Sequence, residues 1–287
     1  MPTDLALDLP AMTTLDSSPT DGSDAYVLTT GEAGAARLRL LHEVYGASTE
    51  ALLCEVGLGP GMHAVDVGCG TGTVARWMAG RVGPDGAVFG VDVSPAQLEV
   101  ARGESQRLGY SHLRFVHADA YGTRLPRASF DVVYCRFLLC HLTQPERALR
   151  EMIALLKPNG VLVCDDVDVG SILADPPSAA VDRMRDLMRA VGVARGVDYC
   201  LGIRLHRLFR EEGLYSPQIR FDQPVYAAGE GKRFWEYTVL EAGPAIIGAG
   251  LATAVELERL AQELAAVAQD ETIVVAQARK VQVWARK

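Results

Sequence analysis

Three carboxylates and three alternating glycines hold the chemistry that is most legible in this chain. Segment 64–75, Ala-Val-Asp-Val-Gly-Cys-Gly-Thr-Gly-Thr-Val-Ala, reads as an apolar strand that ends in Asp66 and runs into Gly68, Cys69, Gly70 and Gly72. Residues without a Cβ let the backbone turn sharply off the strand and lie against a ligand. A dinucleotide fingerprint would put its third glycine at position 73, where helix and strand close around a pyrophosphate, but that residue is Thr73. The spacing therefore suits a nucleoside ligand without phosphate and leaves a nicotinamide-dependent dehydrogenase as a distant alternative. Segment 87–95 is a second buried strand ending in Asp92, followed by Val93, by Ser94 as helix N-cap and by Pro95 in the first turn. An acid there, about two dozen residues after the glycine turn, can accept from both hydroxyls of a ribose, with Gln97 and Leu98 flanking the nucleoside. A third strand at 112–116 leads to Asp119 and Ala120, where an acceptor can take an amino proton of adenine. Ligands of open parallel sheets bind beyond the carboxyl ends of the strands, so three acids at successive strand ends describe one crevice. Taken singly, each is equally well read as a helix cap.

The elements that must position these residues alternate strand and helix from Met62 to Asp166, which implies right-handed crossovers and a parallel sheet. Before them, 32–45 has helical periodicity and Ser48 opens a second helix, the two lying across the cofactor mouth. After the fifth strand, helices are expected to about Val191 and from about Ile203 to Glu212, then alternating segments at 218–223 and 281–286 as strands. Between those two strands, 232–269 is a helical stretch rich in alanine and glycine, read as substrate-side packing or a dimer surface.

With these segments in order, the chain resembles the class I S-adenosylmethionine-dependent methyltransferases that act on small molecules, over roughly 60–168. Val-Asp-Val-Gly-Cys-Gly-Thr-Gly is similar to the family's first motif, Gly-Val-Asp-Val-Ser to its ribose acid and Ala-Asp-Ala to its adenine contact. Phe-Asp-Val-Val-Tyr-Cys-Arg-Phe-Leu-Leu-Cys-His-Leu at 130–142 resembles its fourth strand, and 156–163 the entry to its fifth. The family often has two consecutive histidines after that fourth strand; here the first is Cys140 and only His141 remains.

The resemblance implies an α/β, Rossmann-like seven-stranded sheet, mostly parallel with the last strand antiparallel, carrying an N-terminal helical lid and helical cap insertions. It implies S-adenosylmethionine as cofactor, and methyl transfer to O, N or C of a small, secondary-metabolite-like acceptor by in-line displacement. The alternatives are a protein that uses the bound cofactor in cyclisation or elimination, or a cofactor-binding scaffold. Because a sulfonium methyl is already electrophilic, the enzyme has mainly to align the reactants and exclude water. A hydroxyl acceptor also needs a base, and His141, beside the methyl group by resemblance, titrates in the right range; its other reading is a cap under the next helix. Asp166 is the second catalytic candidate. Asp165, Asp166 and Asp168 on one extended strand point alternately to opposite faces and cannot all converge on a cation, so no metal is expected. Tyr26 and Arg37 are candidates to close over the methionine part, Arg37 through a two-hydrogen-bond fork to its carboxylate, and Arg136 to touch the cofactor after the fourth strand. Their other reading is surface and structural ion pairing. Tyr199, His206, Phe234, Trp235 and Tyr237 are candidates for the substrate wall, or else simply core.

The length of 287 residues accommodates one large α/β core and a helical cap. We read 1–24 as a disordered leader, 25–58 as the lid, 59–168 as the cofactor-binding core, and 169–287 as cap plus the last two strands. A net charge of −8 disfavours nucleic acid as a partner, and the segment after the fourth strand lacks the Asn-Pro-Pro-Tyr type of sequence used on base amines. Six cysteines without paired metal-ligand spacing read as reduced thiols. No apolar run is long enough to cross a bilayer, so the expectation is a cytoplasmic protein without membrane contact, with a homodimer as one use of 232–269.

Overall fold

A computed structural model describes residues 31–287. The reading of 1–24, and that of Tyr26, lie outside the described residues. The chain runs α1 (Gly31–Glu55), β1 (His63–Val67), α2 (Thr73–Val82), β2 (Ala87–Asp92), α3 (Pro95–Leu108), β3 (Leu113–His117), β4 (Phe130–Arg136), α4 (Pro145–Leu155) and β5 (Leu156–Asp168). It continues through β6 (Leu173–Asp175), α5 (Ala179–Ala194), α6 (Leu205–Glu211), β7 (Gln218–Asp222), β8 (Val225–Tyr226), α7 (Phe234–Gly248), α8 (Ala254–Gln269), β9 (Val274–Ala276) and β10 (Arg279–Arg286).

Seven strands form one sheet in the order β3-β2-β1-β4-β5-β10-β7. The five strands from β3 to β5 are mutually parallel, and β10 runs antiparallel to both β5 and β7. The order reverses between β1 and β4, with β2 and β3 on one side and β5 on the other. Alternation along the strands gives the sheet two apolar faces. Ala64, Val132, Tyr134, Val161 and Val163 pack with Leu52, Leu53 and Met78 under α1 and α2. Val65, Val133, Cys135, Leu162 and Cys164 pack on the opposite face with α4, α5 and α7 through Leu149, Met184 and Val239.

Helix starts follow their local chemistry. Ser94 caps α3 by accepting from the Gln97 amide, with Pro95 in the first turn. Thr253 and Glu256 form a reciprocal capping box on α8.

Three features differ from the sequence expectation. The two helices expected before β1 are one, α1. The His42 imidazole lies where a Cβ on Gly46 would stand, within 2.7 Å, and buried Tyr45, Thr49, Leu52 and Leu53 hold the following turns against the sheet. Tertiary packing thus outweighs the roughly 1 kcal/mol that a mid-helix glycine costs. Ser48, read as a cap, sits mid-helix and donates back to the Tyr45 carbonyl. A small second sheet, β6-β9-β8, was not expected at all. It brackets the insertion between β7 and β10, in which α7 and α8 pack on each other and α7 also packs on α1 and α5. No helix among the described residues is long and apolar enough to cross a membrane.

Candidate functional site

The carboxyl ends of β1, β2 and β3 bring the three acids to one edge of the sheet. Gly68, Gly70 and Gly72 have φ of 74, 53 and 74°. A Cβ on Gly72 would stand 2.8 Å from the Phe115 ring, so its absence serves packing. Among the described residues, a Cβ on Gly70 would meet nothing closer than the Leu38 Cδ1 on α1, 3.6 Å away. Gly70 therefore leaves its surface open in the cleft between the turn and α1, where the backbone is free to lie against a flat ligand. Cys69, between them, is buried, and burial pushes its thiol well up.

Asp92 is built into that turn. Its Oδ2 accepts from the Gly70 amide and its Oδ1 from the Ser94 amide, each at 2.8 Å, and the carboxylate keeps acceptor capacity for a ligand. Burial raises its carboxyl above the usual range, and the Ser94, Gly70 and Val93 amides oppose that. Val93, next in the chain, is 58% exposed. Asp119 is partly exposed and accepts from the Tyr121 amide at 2.8 Å, with buried Ala120 between them.

Asp66 is buried, and burial pushes its carboxyl up to about 7 against the pull of the Arg136 guanidinium, with the Asp92 charge adding to the rise. Its group is poised between charge states at neutral pH. Gln97 is also buried, and Gln97 Oε1 and Arg136 Nη1, both buried, have no partner among the described residues. Native structures rarely leave such atoms unsatisfied. With the open face of Gly70 and the spare acceptor capacity of Asp92, the residues present fit an adenosine that carries a charged amino acid.

Downstream of β4 the chain bends at Phe137, whose φ of 50° is rare for a bulky residue. Its amide donates to the Asp165 carbonyl at 2.9 Å, and its ring lies edge-on to Tyr45 with centroids 5.1 Å apart. The bend leads into a 3-10 turn, Leu139–His141. His141 is partly buried and lies edge-on to Tyr199, centroids 5.2 Å apart. Burial, then Arg37 and Arg195, pull its imidazole down to about 3, so the ring is neutral at physiological pH. Asp166, fully buried, accepts from the Cys140 and Val167 amides at 3.1 and 2.8 Å, and burial raises its carboxyl to about 6. It fastens the turn that carries His141. Asp165, one residue earlier, faces α1 instead, as strand alternation requires.

Arg37 is buried, and its Nε donates to Glu241 of α7 at 2.8 Å. Of the wall candidates, Tyr199 is buried and is brought to His141. Phe234 and Trp235 are buried edge-to-face against each other at 5.0 Å within the core. Tyr237 lies under the Arg233 guanidinium, 4.8 Å away, and partly exposed His206 sits on α6, which packs on β10. Among the described residues no three His, Cys, Asp or Glu side chains are grouped as a metal site would need.

Sequence reasoning missed Glu241, Phe137 and a buried polar network around Lys280. One signal for the last was present: the alternation of β10 puts Lys280 and Gln282 on the face that carries Trp284, so that face needs polar partners.

Comparison with known proteins agrees with this geometry. Residues 65–164 match the sequence model of a family described as "Methyltransferase domain". The chain is 39% identical over 108 residues to the ubiquinone/menaquinone biosynthesis C-methyltransferase UbiE of Ectopseudomonas mendocina, a match covering 37% of this chain and 42% of that one. It is 34% identical over 135 residues to methyltransferase GfsG of Streptomyces halstedii, covering 47% and 48%. The chain thus spans less than half the length of the curated relatives it matches. Among solved structures, the [4+2]-cyclase SpnF superposes with a TM-score of 0.54 at 20% identity, over 95% of this chain and 99% of that one, a likeness of fold.

Proposed function

Residues 65–164 are a class I S-adenosylmethionine-dependent methyltransferase domain, and with that premise we propose that the protein transfers a methyl group to O, N or C of a small, secondary-metabolite-like acceptor. The observation that carries the reading is the convergence of Gly70, Asp66, Asp92 and Asp119 at the reversal point of the sheet, beside the unpartnered Gln97 Oε1 and Arg136 Nη1. Open α/β sheets bind ligands at such points.

When bound, the cofactor supplies a methyl group on a positive sulfur. Asp92 accepts from both ribose hydroxyls, and Asp119 and Ala120 border the adenine. Arg136 receives the methionine carboxylate, and Asp66, charged or protonated with its setting, answers the positive part of the same ligand. Arg37, tied to Glu241, belongs to the wall between α1 and α7 rather than forking a carboxylate alone. His141, neutral and held by the turn that Asp166 fastens, accepts a hydrogen bond from the acceptor and orients it against Tyr199. An imidazole so far below its usual range is a weak base. The acceptor best served is one that gives up its proton readily or attacks as a neutral amine. The charge balance of the chain supports a small molecule over nucleic acid.

The test is isothermal titration of the purified protein with S-adenosylmethionine, S-adenosylhomocysteine and a nicotinamide dinucleotide. Micromolar binding of the first two alone supports the reading, and binding of the dinucleotide alone overturns it. The second reading is use of the same cleft without methyl transfer, on a fold that the [4+2]-cyclase SpnF shares. Turnover that accumulates S-adenosylhomocysteine decides for the first, and turnover without it for the second.

A further inference from the structure

On the face of the sheet covered by α1, five polar side chains from four elements meet in the interior. Lys280 of β10 and Asp165 of β5 are both fully buried, with Nζ and Oδ2 3.2 Å apart. Lys280 Nζ also donates to the Tyr45 carbonyl and to Thr49 Oγ1 of α1, at 3.0 and 2.9 Å. Asp165 Oδ2 accepts from Thr49 Oγ1 at 2.8 Å and from the Tyr134 hydroxyl of β4 at 3.1 Å, and Oδ1 accepts from Gln282 Nε2 at 3.1 Å. Gln282 reaches on to the Ser48 carbonyl at 3.3 Å. Burial pulls the Lys280 ammonium down, and the carboxylates of Asp165 and, at 3.9 Å, Asp222 oppose that.

A buried ion pair is a poor way to gain stability. Its desolvation cost commonly cancels its attraction, and an apolar pair of similar size is often as stable. What such a pair specifies is geometry, since the seat of α1 brings Thr49 Oγ1 and the Tyr45 carbonyl to Lys280 and Asp165 at once, while Gln282 Oε1 is left without a partner among the described residues. Two consequences of that seat reach the cofactor cleft. The same helix, a few turns earlier, presents Leu38 to Gly70, 3.6 Å from the position of a Cβ there. The main chain of Asp165 holds the Phe137 amide, and Phe137 is the left-handed residue immediately after Arg136, whose Nη1 lacks a partner.

We propose that Lys280 and Asp165 are positioning residues for cofactor binding: their buried contact fixes the seat of α1 over the glycine turn and the bend that aims Arg136, so cofactor affinity depends on them more than fold stability does. This rests on the methyltransferase reading of the cleft. It assigns a functional reason to the last strand, which lies outside the segment 65–164 matched by the family.

The experiment uses the full chain and three variants: Thr49→Val, Lys280→Met and the pair Lys280→Met with Asp165→Asn. The readouts are S-adenosylhomocysteine affinity by titration calorimetry, unfolding temperature without ligand, hydrogen exchange of 37–55, and KM for S-adenosylmethionine against kcat. The double variant is expected to unfold cooperatively within a few degrees of the parent, yet to bind S-adenosylhomocysteine at least tenfold more weakly. Exchange in 37–55 rises, KM for the cofactor rises, and kcat at saturation changes far less. Thr49→Val, which removes the hydroxyl that bridges the two charges, shows the same pattern at several-fold. Affinity within twofold of the parent in both variants overturns the proposal. So does loss of folding in both, because the network would then serve stability. Failure of the parent to bind S-adenosylhomocysteine at all is a different result, and it removes the methyltransferase reading itself.

Discussion

Replacing Asp92 by alanine separates what its carboxylate does for the protein from what it does for the ligand. In the protein, Oδ2 and Oδ1 each accept one backbone amide at 2.8 Å, from Gly70 and Ser94. The alanine variant leaves both amides without that acceptor. Asp92 is partly exposed, so water reaches part of the loss, and about 1 kcal/mol per amide is the appropriate scale. The cost of about 2 kcal/mol should lower the unfolding temperature by roughly 4–8 °C in a domain of this size class. On the ligand, two hydroxyl hydrogen bonds to a charged acceptor are lost, each about 1.5–3 kcal/mol. Together they amount to about 3–6 kcal/mol, or roughly a hundredfold to ten-thousandfold in affinity. Asp92→Asn keeps one acceptor oxygen and should fall between. Titration calorimetry with S-adenosylhomocysteine and thermal unfolding, run on both variants, read the two effects separately. Affinity of the alanine variant within threefold of the parent would refute the ribose assignment, whatever happens to the unfolding temperature.

The glycine turn gives a paired prediction. Gly70→Ala places a methyl in the cleft at a cost of about 1–2 kcal/mol for the left-handed backbone, so it should fold and lose cofactor binding. Gly72→Ala adds a collision with Phe115 at 2.8 Å and should lose more stability, visible as the lower unfolding temperature of the two. Asp66 sets a pH dependence. Its folded value of about 7 lies above the unfolded one, so the folded state holds the extra proton; that contribution is complete below about pH 4 and is lost as pH rises through about 7. Asp66→Asn should flatten this fall in an unfolding series from pH 4 to 8, and parallel curves for variant and parent would count against it. In the parent, affinity for a cationic cofactor should rise over the same upper range as Asp66 ionises. His141, pulled down to about 3, stays neutral across the assay range, so kcat should show no inflection near pH 6.5 that disappears in His141→Ala. Such an inflection would restore a general base. His141→Ala should still slow turnover with little change in cofactor affinity.

The sequence alone determined what local sterics and chain order dictate. Gly70 and Gly72 declare a left-handed turn because other residues pay for that backbone, and Asp66, Asp92 and Asp119 declare one edge of the sheet because each closes a short apolar run. The strands and helices from β1 to β5 follow from the same local signals. Contacts between residues far apart in the chain were decided only by tertiary structure. A helix over 32–45 and another opened at Ser48 were the expectation, yet Lys280, Asp165 and the apolar contacts of Tyr45 and Leu52 carry one helix, α1, through Gly46. Arg37 looked like a ligand hook, and its Nε is taken by Glu241, 204 positions away. Asp166 and His141 have unremarkable intrinsic chemistry. Burial moves one carboxyl up and the imidazole down, and burial is a property of everything packed around a residue, which no local pattern contains.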